Sequence, residues 1–208
     1  MNQAITIEHI EKAIAKAERR ESKLTQEAME VPGFTGKKVR HFLNNITDFS
    51  GCRYLEVGCY KGATLSSAMF KNEMGRWGID NFSQFGGSKA VLSASVLKAT
   101  GMEVNIIEAD CFSVNTTQEG ILSVNVYFFD GRHDRESQRM ALEYYYQAME
   151  GRFIFLVDDF DDKDVRGGTY RAISDIGPRV LFGRELRGGA GGDAEGWWNG
   201  IGVFLLEK

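Results

Sequence analysis

From Arg53 onward, short apolar runs alternate with helical stretches, and that alternation leaves few folds open to the chain. The runs are Arg53–Val57, Arg76–Ile79, Val104–Ile107, Val124–Phe129 and Phe153–Val157. Between them lie helical patterns at Ala63–Lys71, Ser88–Thr100, Glu136–Met149 and Val165–Ile176. The runs are continuous in hydrophobicity rather than alternating, as expected of strands covered by helices on both faces. A β-α-β-α succession of this kind predicts a doubly wound, parallel α/β sheet. After Pro178 the helical pattern stops. Val180–Glu185 and Ile201–Leu206 read as strands joined by the Gly-rich stretch Arg187–Gly196, which predicts a closing antiparallel hairpin.

Upstream of the first strand, Ile7–Arg20 places Ile7, Ile10, Ile14 and Ala17 on one helical face, with Thr6 available as N-cap. A break at Val31-Pro32-Gly33 follows, and Thr35 could cap a second helix carrying Val39, Phe42, Leu43 and Ile46. Neither helix could bury a core alone. Residues 1–50 are therefore expected to form an N-terminal helical extension, either a lid or an oligomer contact, on a main domain spanning 51–208.

Charge and composition exclude several classes of function. The net charge is -4, and the densest basic cluster is only Lys37-Lys38 with Arg40, so a nucleic-acid partner is not expected. A small or neutral substrate is the better expectation. No apolar stretch approaches the roughly 20 residues that span a bilayer, and Met1–Ile10 lacks the pattern of a signal peptide. Cys52, Cys59 and Cys111 show no C-x-x-C spacing, which suggests reduced thiols and a cytoplasmic location.

In an open parallel sheet, ligands bind outside the carboxyl ends of the strands. Gly58 and Gly62 follow the first strand, Asp80 ends the second and Asp110 follows the third; Asp130 ends the fourth, and Asp158-Asp159 the fifth. The two glycines permit a tight turn and close backbone approach before a helix. Their G-x-x-x-G spacing lacks the middle glycine of dinucleotide folds, which with the terminal hairpin argues against a dehydrogenase. Asp80 lies about 20 residues further on, where a carboxylate can accept hydrogen bonds from ribose hydroxyls.

On these residues the chain resembles a known family. The run Tyr54-Leu55-Glu56-Val57-Gly58 through Gly62-Ala63-Thr64 resembles the first motif of class I methyltransferases, which bind S-adenosylmethionine (SAM). The resemblance implies a seven-stranded sheet with an antiparallel last strand. It also implies Glu56 and the Gly58 backbone near the methionine part of SAM, Asp80 at the ribose and Asp110 beside the adenine amino group. Asp130 and the pair Asp158-Asp159 resemble the metal triad of catechol-type and macrocin-type O-methyltransferases. A residue three positions after the first acid often serves there as general base, which here is His133. Catechol-type members carry lysine at that point, so this sequence sits closer to the macrocin-type sugar methyltransferases. Related enzymes are often dimers, so a homodimer is a possible assembly.

The physical case runs in parallel. Carboxylates about 5 Å apart repel by roughly 3 kcal/mol per pair at a dielectric near 20. A hard divalent cation relieves this and prefers oxygen ligands, pointing to Mg²⁺ with Mn²⁺ or Ca²⁺ as alternatives. A neutral imidazole can take a hydroxyl proton at pH 7. The expected activity is methyl transfer from SAM to a hydroxyl of a small molecule such as a catechol, vicinal diol or sugar. The alternatives are a metal-independent methyltransferase and a SAM-binding module that transfers nothing.

Other features have plainer readings. Asp161, Asp162 and Asp164 read as a solvated loop facing the next helix N-terminus. His9 and His41 read as surface or packing residues, Cys59 as a small packing residue, and Tyr144-Tyr145-Tyr146 as mainly packing. Trp197-Trp198 could wall an acceptor pocket or anchor the hairpin. Gly188, Gly189, Gly191 and Gly192 could form a mobile lid or, more simply, a connector.

Overall fold

The computed structural model describes residues 5–189 and 192–208. Gly191 of the glycine-rich connector lies outside them. The elements are α1 (Ile7–Glu18), α2 (Lys37–Ile46), β1 (Arg53–Val57), α3 (Ala63–Met69), β2 (Gly75–Asp80), α4 (Lys89–Thr100) and β3 (Asn105–Glu108). They continue with β4 (Val124–Phe129), α5 (Arg135–Tyr145), β5 (Met149–Val157), α6 (Lys163–Ile176), β6 (Arg179–Leu186) and β7 (Ile201–Glu207).

The seven strands form one sheet in the order β3-β2-β1-β4-β5-β7-β6. Only β7 runs against the others: its pairings with β5 and β6 are both antiparallel, whereas β1 through β5 pair in parallel. This is the doubly wound sheet with its terminal hairpin that the sequence predicts. Side chains alternate across it. Tyr54, Val126, Phe128, Ile154 and Leu156 join α1 to α4 in one buried cluster. Leu55, Tyr127, Phe129, Phe155 and Val157 join α5 and α6 in the other. Every residue of β4 is buried, which explains why it reads as an unbroken apolar run.

Some boundaries differ from the sequence expectation. The second helix is capped by Gly36 with no side-chain bond, while the Thr35 hydroxyl finds no partner. Helix α5 stops at Tyr145, and a 3-10 turn at Tyr146–Ala148 leads into β5 four residues earlier than periodicity suggests. Thr6 does cap α1, accepting from the His9 N–H at 3.1 Å.

The N-terminal helices are fastened by polar groups as well as by their apolar faces. The buried Arg40 guanidinium donates to the carbonyls of Ala28, Met29 and Val31 and to Ser67 Oγ. Burial lowers its pKa to about 10, so it stays charged at neutral pH. Asn44 donates to the carbonyls of Ser67 and Phe70, tying α2 to α3. Backbone N–H groups of Lys37 and Lys38 donate to the carbonyls of Ala194 and Gly196, and Trp197 Nε1 donates to Glu18. Trp197 is thus an anchor for the hairpin, its ring edge-on to Phe42. Among the described residues, no helix is long and apolar enough to cross a membrane.

Replacing Arg40 by methionine keeps the apolar stem but strands three carbonyls. Urea denaturation should show a loss of about 3 kcal/mol, with new proteolytic cleavage in the 28–34 segment. A loss under about 0.5 kcal/mol, the range of a neutral surface change, would mean that water replaces the guanidinium freely.

Candidate active site

The strand order reverses between β1 and β4, the switch point at which α/β sheets bind ligands. Sheet hydrogen bonding runs one residue beyond each strand here. Gly58 N–H donates to Ile79 O at 2.9 Å, Asp130 N–H to Val57 O at 2.8 Å and Asp158 N–H to Phe129 O at 3.0 Å. These bonds set Gly58, Asp130 and Asp158 side by side along the rim.

The glycine turn is shaped by this crowding. Gly58 has φ +88°, and a Cβ on it would lie 1.8 Å from the Asp130 carbonyl oxygen. Gly62 has φ +89°, and its Cβ would meet Leu92 and Val96 of α4. Both positions therefore require glycine for backbone conformation and for close approach. Asp80 faces the turn: one oxygen accepts from Tyr60 N–H and the other from Phe82 N–H, each at 2.7 Å. Each oxygen retains a lone pair for a further donor, so the group fits a ribose diol. Asp110 is exposed beyond β3 and accepts from Phe112 N–H at 2.9 Å. Glu56 lies beneath the turn, fully buried, with its oxygens accepting from the hydroxyls of Tyr54 at 2.5 Å and Thr64 at 2.7 Å.

At the next two strand ends, Asp130, His133 and Asp159 converge, with one ligand-type atom of each within 4.8 Å of the others. His133 Nε2 lies 2.8 Å from Asp159 Oδ2 and 4.0 Å from Asp130 Oδ1. Asp158 is buried next to Asp159, and its Oδ1 has no hydrogen-bond partner among the described residues. Burial, then the charges of Asp158 and Asp159, push Asp130 well above the usual carboxylate range. Burial and Asp159 do the same to Asp158. Burial also acts to raise Asp159, but the hydrogen bond and charge of His133, with the Asn199 amide, outweigh it and lower the net value. The hydrogen bond that its own ring N–H donates to Asp159 raises His133.

The third acid expected from the sequence, Asp158, lies outside the trio whose ligand-type atoms gather within 4.8 Å, and the charges of Asp158 and Asp159 both oppose ionisation of Asp130. An unpartnered buried oxygen and hard oxygen donors fit a divalent cation of the Mg²⁺ type. In the loop beyond, Asp162 and Asp164 serve the α6 N-terminus as the plainer reading had it, whereas Asp161 is tied to the hairpin. Asp162 caps α6, Asp164 pairs with Arg135, and Asp161 pairs with Arg187. A cleft of about 350 Å³ opens at the cluster, lined by His133, Asp159, Asp161, Asp162, Gly188, Gly189 and Asn199. Asn199 is the site residue that sequence reasoning missed. Its Nδ2 donates to Asp159 Oδ1 at 2.6 Å across forty positions of chain, and the only local signal was a polar residue before Gly200 in a tight turn.

No family model matches the chain, and no curated protein sequence matches it. Solved structures do match its fold. An O-methyltransferase from Bacillus cereus in complex with SAH superposes with a TM-score of 0.60 at 14% identity, covering 98% of this chain and 92% of that one. A cofactor-bound protein from MTB gives 0.57 at 16% identity, covering 97% and 90%. A precorrin 8W decarboxylase from Methanobacterium thermoautotrophicum gives 0.56 at 16% identity, covering 86% and 94%. The chain has the Rossmann-like methyltransferase fold, and that fold also carries other chemistry.

Burial raises the Glu56 pKa to about 7 from an ordinary 4.5, so the native state holds this proton more tightly than the unfolded chain does. The stabilisation is complete below pH 4.5 and is lost as pH rises through 7, a change of about 3 kcal/mol. Unfolding free energies of the native chain should fall more steeply across this window than those of Glu56→Gln. Parallel curves would show that Glu56 is held ionised in the fold.

Proposed function

We propose that this chain is a SAM-dependent O-methyltransferase with a divalent cation at Asp130, Asp158 and Asp159 and His133 as general base. The observation that carries the reading is the convergence of His133, Asp130 and Asp159 at the β4 and β5 ends, the two strands that follow β1 and its glycine turn in the sheet. The SAH bound to the Bacillus cereus O-methyltransferase of the same fold supports the choice of donor.

The residues divide the work by position. Asp80 accepts from the ribose hydroxyls, Asp110 lies at the adenine end, and Glu56 braces the turn from below through Tyr54 and Thr64. Bound SAM supplies an electrophilic sulfonium methyl group. A Mg²⁺, Mn²⁺ or Ca²⁺ held by Asp130, Asp158 and Asp159 would offset their charge and would acidify a neighbouring hydroxyl. His133 takes the acceptor's O–H proton, and bound SAM would supply the methyl group that the oxygen receives, with neutral SAH as the leaving product. Asp159 holds the imidazole in place and stabilises the imidazolium. His133 is half-exposed, so the proton can pass on to solvent.

The lining of the cleft narrows the acceptor. Among the described residues its lining side chains are carboxylates, an imidazole and an amide, with two glycines, and no aromatic or branched aliphatic side chain. A hydroxyl-rich molecule such as a sugar satisfies such walls, whereas a flat catechol would leave polar groups facing carbon. The second reading is a metal-independent version of the reaction, in which the 2.8 Å contact of Asp159 serves only to orient His133.

His133→Ala should lower turnover by about 10²- to 10⁴-fold while leaving SAM affinity in calorimetry unchanged. Assays should follow labelled methyl transfer to a panel of monosaccharides, polyols and catechol. Turnover equal in EDTA and in Mg²⁺ would favour the metal-independent version, and methylation of catechol alone would sink the acceptor assignment. Asp158→Asn, which removes one charge at constant shape, should abolish the response to Mg²⁺.

A further inference from the structure

We propose that Asn199 is a positioning residue of this site, acting through Asp159 to reserve one carboxylate oxygen for His133 and the cation; the proposal rests on the metal-dependent reading above. Asp159 has φ +51°, a left-handed conformation unusual for a residue with a side chain. From there Oδ2 meets His133 at 2.8 Å, while Oδ1 accepts the Asn199 amide at 2.6 Å. Without that amide, Asp159 could rotate to present either oxygen, or both, to its neighbours.

The backbone that carries the amide is itself held. Asp161 N–H donates to Asn199 O at 2.9 Å and Phe160 N–H to Gly200 O at 3.0 Å, so the start of β7 is stitched to the residues just beyond β5. Gly200 has φ +87°, and a Cβ there would press on the Asp161 carboxylate. Asp161 in turn accepts from Gly188 N–H at 2.8 Å and pairs with Arg187, which closes the hairpin over the cleft. The N-terminal helices hold the same hairpin two residues away, through Trp197 on Glu18 and Phe42. The orientation of Asp159 is thus set by a turn belonging to the last strand, on the opposite side of β5 from Asp130.

Partners that orient a metal-binding side chain typically change metal affinity by about 10- to 100-fold when removed. The test is calorimetric titration of the full chain with Mn²⁺ alone and, separately, with SAM, alongside metal-free thermal unfolding. Asn199→Ala should bind Mn²⁺ about 10- to 100-fold more weakly than the native chain, with SAM affinity and thermal midpoint unchanged. Asn199→Gln, which carries the same amide on a longer stem, should recover part of the loss. Unchanged Mn²⁺ affinity in Asn199→Ala overturns the proposal. So does a parallel fall in Mn²⁺ affinity, SAM affinity and thermal midpoint, which marks a merely structural role. A native chain that binds SAM but no Mn²⁺ overturns it together with the cation reading, whereas Mn²⁺ binding indifferent to Asn199 leaves that reading standing.

Discussion

The carbonyl oxygen of Asp130 occupies the space in which a side chain on Gly58 would begin, 1.8 Å from the Cβ position. That approach is possible because β1 and β4 are direct neighbours at the switch point and keep their hydrogen-bond ladder one residue past the strands. The consequences spread along the rim. Pushing Asp130 outward would break its bond to Val57 and disturb the Asp158 bond to Phe129, moving both acids at once. A residue without a side chain on β1 is therefore a condition for the acid geometry on β4 and β5. The glycine turn and the acid cluster are one construction, although they occupy separate stretches of sequence.

The remainder of the fold keeps that rim still. Helices pack on both faces of the sheet, so the strands beneath the acids have little freedom. Beyond β5 the fastening is polar: Asp161 takes a backbone donor and a guanidinium from the hairpin, and Asp162 caps α6. The hairpin is fastened in turn to the N-terminal segment, where Gly36 lies so close to the Gly196 carbonyl that no side chain would fit. Residues far apart in sequence, from Glu18 to Asn199, thereby bear on one carboxylate.

How much of this is legible in the sequence depends on the range of the interaction concerned. The central strands β1 and β4 were placed to the residue, because burial on both faces leaves a continuous apolar signature. The start of β5 was not, because Glu150, Gly151 and Arg152 are only partly buried or exposed and resemble the end of a helix. Asp130 and Asp159 could be grouped because strand ends in a parallel sheet share one rim, and His133 joined them through the family resemblance. Asn199 could not, since its partner lies forty residues away and nothing local announces it. Arg40 misleads in the opposite direction. Beside Lys37 and Lys38 it reads as part of a basic surface cluster, yet it is buried and spends its donors on backbone carbonyls.

The two glycines, taken alone, say less about function than they first suggest, because the protein itself fills the space each leaves. The acids cannot be accounted for in that way. Asp158 has a buried oxygen with no partner, and Asp159 holds a left-handed backbone that costs about 1–3 kcal/mol. Asp130 is crowded by both, with burial opposing its charge. Apolar side chains at these positions would relieve all three penalties and still pack against β4 and β5. Nothing in the stability of the fold calls for three acids there. Under the proposed function a bound cation would offset these penalties, and the imidazole of His133 at the mouth of the cleft would meet the acceptor hydroxyl.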